Sequence, residues 1–136
     1  MTTTLPKILI LEDDPENQRF IYYLLYKKYH PVICSVYDEA VQRLDEHDYT
    51  AMIVDIGLQG EKHGLDFIRL VRTQGRNSSV PVICCTAFAA GEDRMTAFSA
   101  GADVFLPKPV PNPVMLETLE RIISPAPQGE HLAQRR

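Results

Sequence analysis

The sequence lacks the apolar stretches that a membrane-spanning or secreted chain requires. Its longest apolar run, Val80–Ala90, is interrupted by Pro81 and Thr86 and is too short to cross a bilayer. Residues 1–7 contain no basic segment that leads into an apolar core, which argues against a secretory signal. We therefore expect a cytoplasmic protein with no membrane partner.

The sequence also lacks an even set of cysteines and a surplus of positive charge. The three cysteines are an odd number, which argues against a closed disulfide framework. Cys34, Cys84 and Cys85 lie in strand-like apolar runs, where we expect buried, reduced thiols. The chain has 14 basic and 18 acidic residues, a formal net charge of −4. A domain that binds duplex DNA usually carries a basic surplus, so direct nucleic-acid binding is not expected.

What the sequence does contain fits one globular domain. Its 136 residues can bury a core of ordinary size. A composition of 45% hydrophobic and 24% charged residues is typical of a folded chain. Five short apolar runs recur, and most of them are continuous rather than alternating, which is typical of strands covered on both faces. These runs are Lys7–Leu11, Val32–Val36, Ala51–Val54, Val82–Cys85 and Asp103–Leu106.

Helix signals separate the apolar runs. Asp14 followed by Pro15 predicts the start of a helix that runs toward Tyr29, because a capping carboxylate and a first-turn proline both favour a helix N-terminus. The other predicted helices are one capped by Asp38, one from Gly64 to near Gly75, one over Glu92–Ala100, and one capped by Asn112 that carries Leu116, Leu119 and Ile123. Alternating strands and helices predict an α/β fold, with a parallel sheet covered on both sides.

The two ends of the chain are predicted to lie outside this domain. Residues 1–6 form a short N-terminal tail, and Pro125 and Pro127 end the last helix, so residues 124–136 are expected to be a flexible C-terminal tail. Within the first helix, we expect the tyrosines of the segment Tyr22–Tyr26 to serve in helix packing rather than as a binding platform.

Polar residues follow four of the five apolar runs. Glu12 and Asp13 follow the first, Asp55 the third, Thr86 the fourth, and Lys108 comes shortly after the fifth. Because the carboxyl ends of parallel strands meet at one edge of a sheet, we expect these side chains to converge.

The converging groups suit phosphoryl chemistry. Three neighbouring carboxylates repel one another unless a cation joins them, and Mg²⁺ prefers carboxylate oxygens together with water and phosphate. Lys108 adds a positive charge for an anion, and Thr86 adds a hydrogen-bond donor. Asp55 is the candidate nucleophile, because carboxylates can form aspartyl phosphates.

Four spaced motifs resemble the receiver domain of two-component response regulators. The resemblance covers Lys7–Ile123. Its motifs are Ile8–Pro15 (first strand and acidic pair), Ile53–Leu58 (phosphoacceptor strand), Val82–Ala87 (switch-threonine strand) and Gly101–Pro109 (lysine loop). The resemblance implies a flavodoxin-like fold: a doubly wound, five-stranded parallel sheet of order 2-1-3-4-5 with five helices.

The resemblance also implies roles for these residues. Asp55 would accept a phosphoryl group from a histidine of a sensor kinase or phosphotransfer protein. Asp13, Asp55 and the Gly57 carbonyl would bind Mg²⁺, and Glu12 would act through water. Thr86 and Lys108 would each contact an oxygen of the phosphoryl group, and Ala87 follows Thr86 in the switch segment. The peptide bond between Lys108 and Pro109 would be cis. Phe105 would occupy the aromatic switch position.

A single-domain switch of this kind would act through protein contacts rather than as an enzyme. Its output partner is not specified by the sequence, and a homodimer through the fourth helix, fifth strand and fifth helix is a further possibility. The alternative is a receiver-like scaffold that works without phosphorylation. An aspartate-nucleophile phosphatase is disfavoured, because such enzymes have Asp-x-Asp after the first strand, whereas Asp14 is here predicted to cap a helix.

Four departures from the family pattern stand out. The interval from Asp55 to Gly64 is one residue longer than usual, and Gln59 replaces a common proline. Phe105 lacks the hydroxyl of the common tyrosine. Gly57 has no side chain to cover an acyl phosphate, which leaves the approach of hydrolytic water to other residues such as Phe88.

Overall fold

A computed structural model describes residues 4–57, 63–73, 75–87 and 91–123. The predicted tail 124–136, Gln59 and Phe88 lie outside the described residues. The strands are β1 Lys7–Leu11, β2 His30–Cys34, β3 Ala51–Asp55, β4 Val82–Thr86 and β5 Val104–Pro107. The helices are α1 Pro15–Leu25, α2 Tyr37–Leu44, α3 Gly64–Thr73, α4 Gly91–Ala100 and α5 Asn112–Ile123.

The predicted α/β fold and strand order are confirmed. The five strands form one parallel sheet of order β2-β1-β3-β4-β5. Apolar side chains of α2, α3 and α4 pack on one face, and those of α1 and α5 pack on the other. Every residue of β3 and β4 is buried, which explains why their sequences show no alternation.

Several predicted boundaries were wrong by a few residues. The helix α1 ends at Leu25 rather than near Tyr29, since residues 26–28 form a turn. Asp38 does not cap α2: Val36 occupies the cap position without a side-chain bond, and Asp38 lies in the first turn. Asn112 is the first residue of α5 rather than its cap.

The strand order determines where a ligand can bind. The chain passes from β1 to its neighbour β2 on one side, and then crosses back to β3 on the other side of β1. In open α/β sheets such a reversal leaves a crevice at the carboxyl ends of the two strands that flank it. Glu12 and Asp13 directly follow β1, and Asp55 ends β3.

The three cysteines are free and buried, as predicted. Burial raises the pKa of the Cys34 and Cys85 thiols to about 12, so both remain protonated near neutral pH. Within the described ranges, no helix combines the length and apolar character needed to cross a bilayer.

Arg72 joins three separate parts of the chain near the start of β4. Its guanidinium donates to the backbone oxygens of Ser78, Val80 and Gly101 and pairs with Asp103 at 2.9 Å. Asp103 also accepts the Val82 N–H at 2.9 Å. The contacts therefore hold the base of β4 against the segment between α4 and β5.

We expect Arg72→Ala to lower the free energy of unfolding by about 2 to 3 kcal/mol, because it leaves Asp103 and several carbonyls without this donor. Urea titration followed by circular dichroism measures the change. The control is Arg69→Ala, which removes an exposed pair with Asp66 (3.5 Å) and should cost about 0.5 kcal/mol or less. Equal losses in the two variants would contradict a special role for Arg72.

Candidate functional site

Three carboxylates meet at the carboxyl end of the sheet. Glu12, Asp13 and Asp55 each offer an oxygen within 4.8 Å of the others. Glu12 and Asp55 are buried, at 7% and 8% exposure, and Asp13 is half-buried. The sequence-based expectation that these groups converge is therefore met in the structure.

Lys108 lies between two of these carboxylates. Its Nζ is 2.7 Å from Glu12 Oε1 and 3.0 Å from Asp55 Oδ2. Its backbone N–H donates to the Thr86 carbonyl at 2.8 Å, and the peptide bond to Pro109 is cis. Burial alone would lower the pKa of the Lys108 ammonium, but its hydrogen bonds to Glu12 and Asp55 outweigh this and raise the pKa above its ordinary value. The ammonium is therefore charged near neutral pH.

The donor set fits a divalent cation that prefers oxygen. One oxygen of Glu12 pairs with Lys108, and the other accepts the Asp14 N–H at 3.0 Å. Asp55 accepts the Gly57 N–H at 2.8 Å through Oδ1. A single ammonium does not balance three clustered carboxylates, and the remaining negative charge favours a hard cation such as Mg²⁺.

Gly57 and Thr86 lie beside the Asp55 carboxylate. A Cβ at Gly57 would lie 3.4 Å from Asp55 Oδ1 and 3.7 Å from Thr86 Oγ1, both ordinary contact distances. The carboxylate, the hydroxyl and the Gly57 backbone therefore face one small space. Thr86 is itself buried, and the following Ala87 is exposed and lines the same cavity as Asp55 and Lys108.

An apolar groove leads away from the carboxylates between α1 and the start of α5. Its volume is about 550 Å³, and its polar end contains Glu12, Asp55 and Lys108. Its apolar walls include Phe20, Ile21, Leu24, Pro109, Val110 and Met115. Sequence reasoning missed this groove, because its walls come from helices whose relative packing has no local signal.

Phe105 lies apart from the carboxylates. It is buried in the core beside α4, and the Arg94 guanidinium is 5.7 Å from the centre of its ring and 5.6 Å from that of Phe98. Such distances are typical of cation–π contacts. No local motif singles out Arg94.

Comparison with known proteins points to one family. The model of the response regulator receiver domain matches residues 8–120. A two-component response regulator, PhoP of Pseudomonas aeruginosa, is 35% identical over 105 residues, which are 76% of this chain and 45% of that protein. The phosphate regulon transcriptional regulatory protein PhoB of Klebsiella pneumoniae is 32% identical, with the same coverage of both chains. This chain thus spans about half the length of these curated relatives.

Solved structures agree with this comparison. A receiver domain of a sensor histidine kinase from Pseudomonas aeruginosa PAO1, with magnesium coordinated in its active-site cleft, has a TM-score of 0.80 and 30% identity, covering 88% of this chain and 98% of that one. A CheY-like receiver domain from Methanospirillum hungatei has a TM-score of 0.81 at 22% identity, covering 88% and 94% of the two chains.

Proposed function

Because this chain belongs to the response regulator receiver domain family, we propose that it is a phosphorylation switch whose Asp55 accepts a phosphoryl group from a phosphohistidine. The observation that carries the proposal is the position of Asp55: its buried carboxylate lies 3.0 Å from the Lys108 ammonium and within 4.8 Å of two further carboxylates. The receiver unit is proposed to extend over residues 7–123, and its location to be cytoplasmic.

In the proposed reaction, an Asp55 oxygen forms the new O–P bond while the P–N bond of the donor breaks and the imidazole nitrogen keeps the bonding electron pair. The Lys108 ammonium neutralises Asp55 before transfer and is close enough to pair with an oxygen of the incoming group. The Thr86 hydroxyl, which faces the same small space, donates to another oxygen. The Gly57 N–H holds Asp55 Oδ1 and so fixes the direction of the carboxylate.

Mg²⁺ is the proposed cofactor. Asp13, Asp55 and the Gly57 carbonyl would hold the ion, and Glu12 would act through water. When bound, the ion supplies positive charge that the phosphoryl oxygens share. Glu12 also has a role of its own, because it holds Lys108 at 2.7 Å and fixes the Asp14 backbone.

The proposed partners are a sensor histidine kinase or phosphotransfer protein as the donor and a separate output protein. Phe105 would report phosphorylation to the face formed by α4, β5 and α5, where Met95 is 72% and Phe98 38% exposed. This face could also form a homodimer. The protein acts by changing contacts, and its only chemistry is the gain and loss of its own phosphoryl group.

Intact-mass analysis after incubation with acetyl phosphate and Mg²⁺ tests the proposal. We expect one added phosphoryl group, which depends on Mg²⁺ and is absent when the metal is chelated. Borohydride reduction followed by peptide mapping should locate the modification at Asp55. The absence of an adduct with both acetyl phosphate and phosphoramidate would overturn the proposal in favour of a phosphorylation-independent scaffold, and an adduct at another carboxylate would overturn the assignment to Asp55.

The absence of a side chain at Gly57 leads to a prediction about the lifetime of the aspartyl phosphate. Gly57 does not have positive φ, and a Cβ there would make only ordinary van der Waals contacts, so we expect Gly57→Leu to fold. Because the new side chain would stand beside Asp55 and Thr86 and hinder water, we expect hydrolysis to slow by about tenfold, roughly 1.4 kcal/mol in the barrier. Loss of the phosphoryl mass over time measures this rate, with Gly57→Ala as the smaller control. An unchanged or faster rate in the leucine variant would contradict the prediction.

A further inference from the structure

One face of α1 carries a stripe of exposed side chains that the proposed function does not use as a set. Its members are Glu16, Phe20, Tyr23 and Lys27, the last in the turn that follows the helix. Phe20 is 71% exposed and Tyr23 69% exposed, which is unusual for aromatic residues. Steps of four and three residues put Glu16, Phe20 and Tyr23 on one side of the helix, and Lys27 follows Tyr23 by four further residues.

The aromatic part of this stripe extends to two neighbouring rings. The ring of Tyr23 lies 5.5 Å from that of Tyr22 and 6.1 Å from that of Tyr26, centre to centre. Tyr22 and Tyr26 stack on each other at 5.6 Å and are each more than 40% exposed. The expectation that the tyrosines serve in helix packing is therefore corrected: they pack on one another at the surface rather than in the core.

The stripe is complementary to itself when reversed. Glu16 and Lys27 end it with opposite charges, and among the described residues neither takes part in an ion pair. When two such helices pack antiparallel, Glu16 of each copy lies opposite Lys27 of the other. Phe20 of each copy likewise lies opposite Tyr23 of the other. This is the condition for an interface with a two-fold axis, in which the same patch serves both partners.

We propose that this stripe is a contact between two copies of the chain, packed antiparallel along α1. Aromatic side chains bury about 150 Å² or more each, so the Phe20 and Tyr23 rings of two copies contribute about 600 Å². The half-exposed rings of Tyr22 and Tyr26 beside Tyr23 would add less than this, so the total approaches the ~1,000 Å² lower limit for a specific interface. The dimer is therefore weak and reversible.

Because of the position of Phe20, such a dimer would affect access to the phosphorylation site. Phe20 also lines the groove that leads to Asp55 and Lys108. A second copy packed on this side chain would compete with any protein donor that enters the groove, whereas acetyl phosphate is small enough to reach Asp55 directly. This consequence rests on the proposed function, but the dimer does not.

Sedimentation velocity of the unphosphorylated protein, from about 10 to 500 µM, tests the dimer. We expect a concentration-dependent dimer whose dissociation constant rises at least about tenfold in Phe20→Gln and in Tyr23→Gln. Met95→Gln removes an equally exposed apolar side chain from α4 and distinguishes the two faces: it should leave a dimer through α1 unchanged and weaken one through the α4-β5-α5 face. Because the measurement involves no phosphoryl chemistry, its failure is separable from failure of the acetyl phosphate experiment.

Charge reversal tests the antiparallel arrangement. Glu16→Lys and Lys27→Glu each put like charges opposite one another and should weaken the dimer, whereas the double variant restores both pairs and should dimerise like wild type. Both reversals are unfavourable for the α1 helix dipole, so recovery in the double variant cannot come from a more stable helix. A monomer at every concentration, a dimer lost only in Met95→Gln, or no recovery in the double variant would overturn the proposal. Circular dichroism confirms that each variant is folded.

Discussion

Asp55→Asn is expected to lose the phosphoryl adduct entirely, and this is the largest effect of any substitution in the site. An amide has no anionic oxygen to attack phosphorus, so no acyl phosphate can form at position 55. The variant should still fold, because the Asn oxygen can accept the Gly57 N–H and Lys108 keeps its 2.7 Å bond to Glu12. Intact mass after acetyl phosphate treatment gives the result directly.

Asp14→Asn is the matched control for this substitution. Asp14 is next to Asp13 in sequence, but its carboxylate accepts the Asn17 N–H at 3.3 Å and caps α1. Its asparagine variant retains a good capping group and should be phosphorylated like wild type. An adduct that persists in Asp55→Asn would show that the acceptor is a group other than Asp55.

The Asp55→Asn variant should be at least as stable as wild type when Mg²⁺ is absent. Three clustered carboxylates repel one another, and replacing one by a neutral amide removes part of that repulsion. Urea unfolding without metal should therefore give an equal or higher free energy of unfolding for Asp55→Asn. A clear loss of stability would mean that its ion pair with Lys108 outweighs the repulsion.

The fold could be predicted because its signals are local. The strands β1, β3 and β4 are continuous apolar runs, and Asp14 with Pro15 defines the start of α1. The predicted run Val32–Val36 is displaced by two residues from β2, which spans His30–Cys34 and includes Pro31. Among the described strands, β2 lies at the edge of the sheet and pairs with β1 alone, and a proline is tolerated there.

The carboxylate site could be predicted for a related reason. Once the strands are parallel, the residues that follow them must meet, so Glu12, Asp13, Asp55 and Lys108 could be brought together without coordinates. The groove beside them and the contact of Arg94 with Phe105 could not be predicted in this way. Both depend on how helices pack against the sheet, which is decided by side chains distant in sequence.

Gly64→Ala is expected to destabilise the protein by about 3 kcal/mol or more. An ideal Cβ at this position would overlap the Asp55 backbone oxygen and lie 2.8 Å from Val54 Cγ1 and 2.9 Å from Ile56 Cα. Two of these three atoms belong to the backbone at the end of β3, so they cannot move aside cheaply. The first turn of α3 would have to withdraw from the strand that carries Asp55, and overpacking of this kind is costly.

Gly75→Ala separates this steric effect from the conformational freedom of glycine. Gly75 has φ of +82° with nothing within 4 Å of its Cβ position, so alanine there costs only backbone strain, about 1 to 2 kcal/mol. Gly64 is the opposite case, since its φ is not positive and its neighbours are too close. Urea unfolding of both variants should therefore rank Gly64→Ala as the more damaging, and its residual folded fraction should phosphorylate more slowly because the end of β3 has shifted. If Gly64→Ala proved as mild as Gly75→Ala, α3 would be free to move away from Asp55, and the close approach of its first turn would not be needed to hold the carboxylate in position.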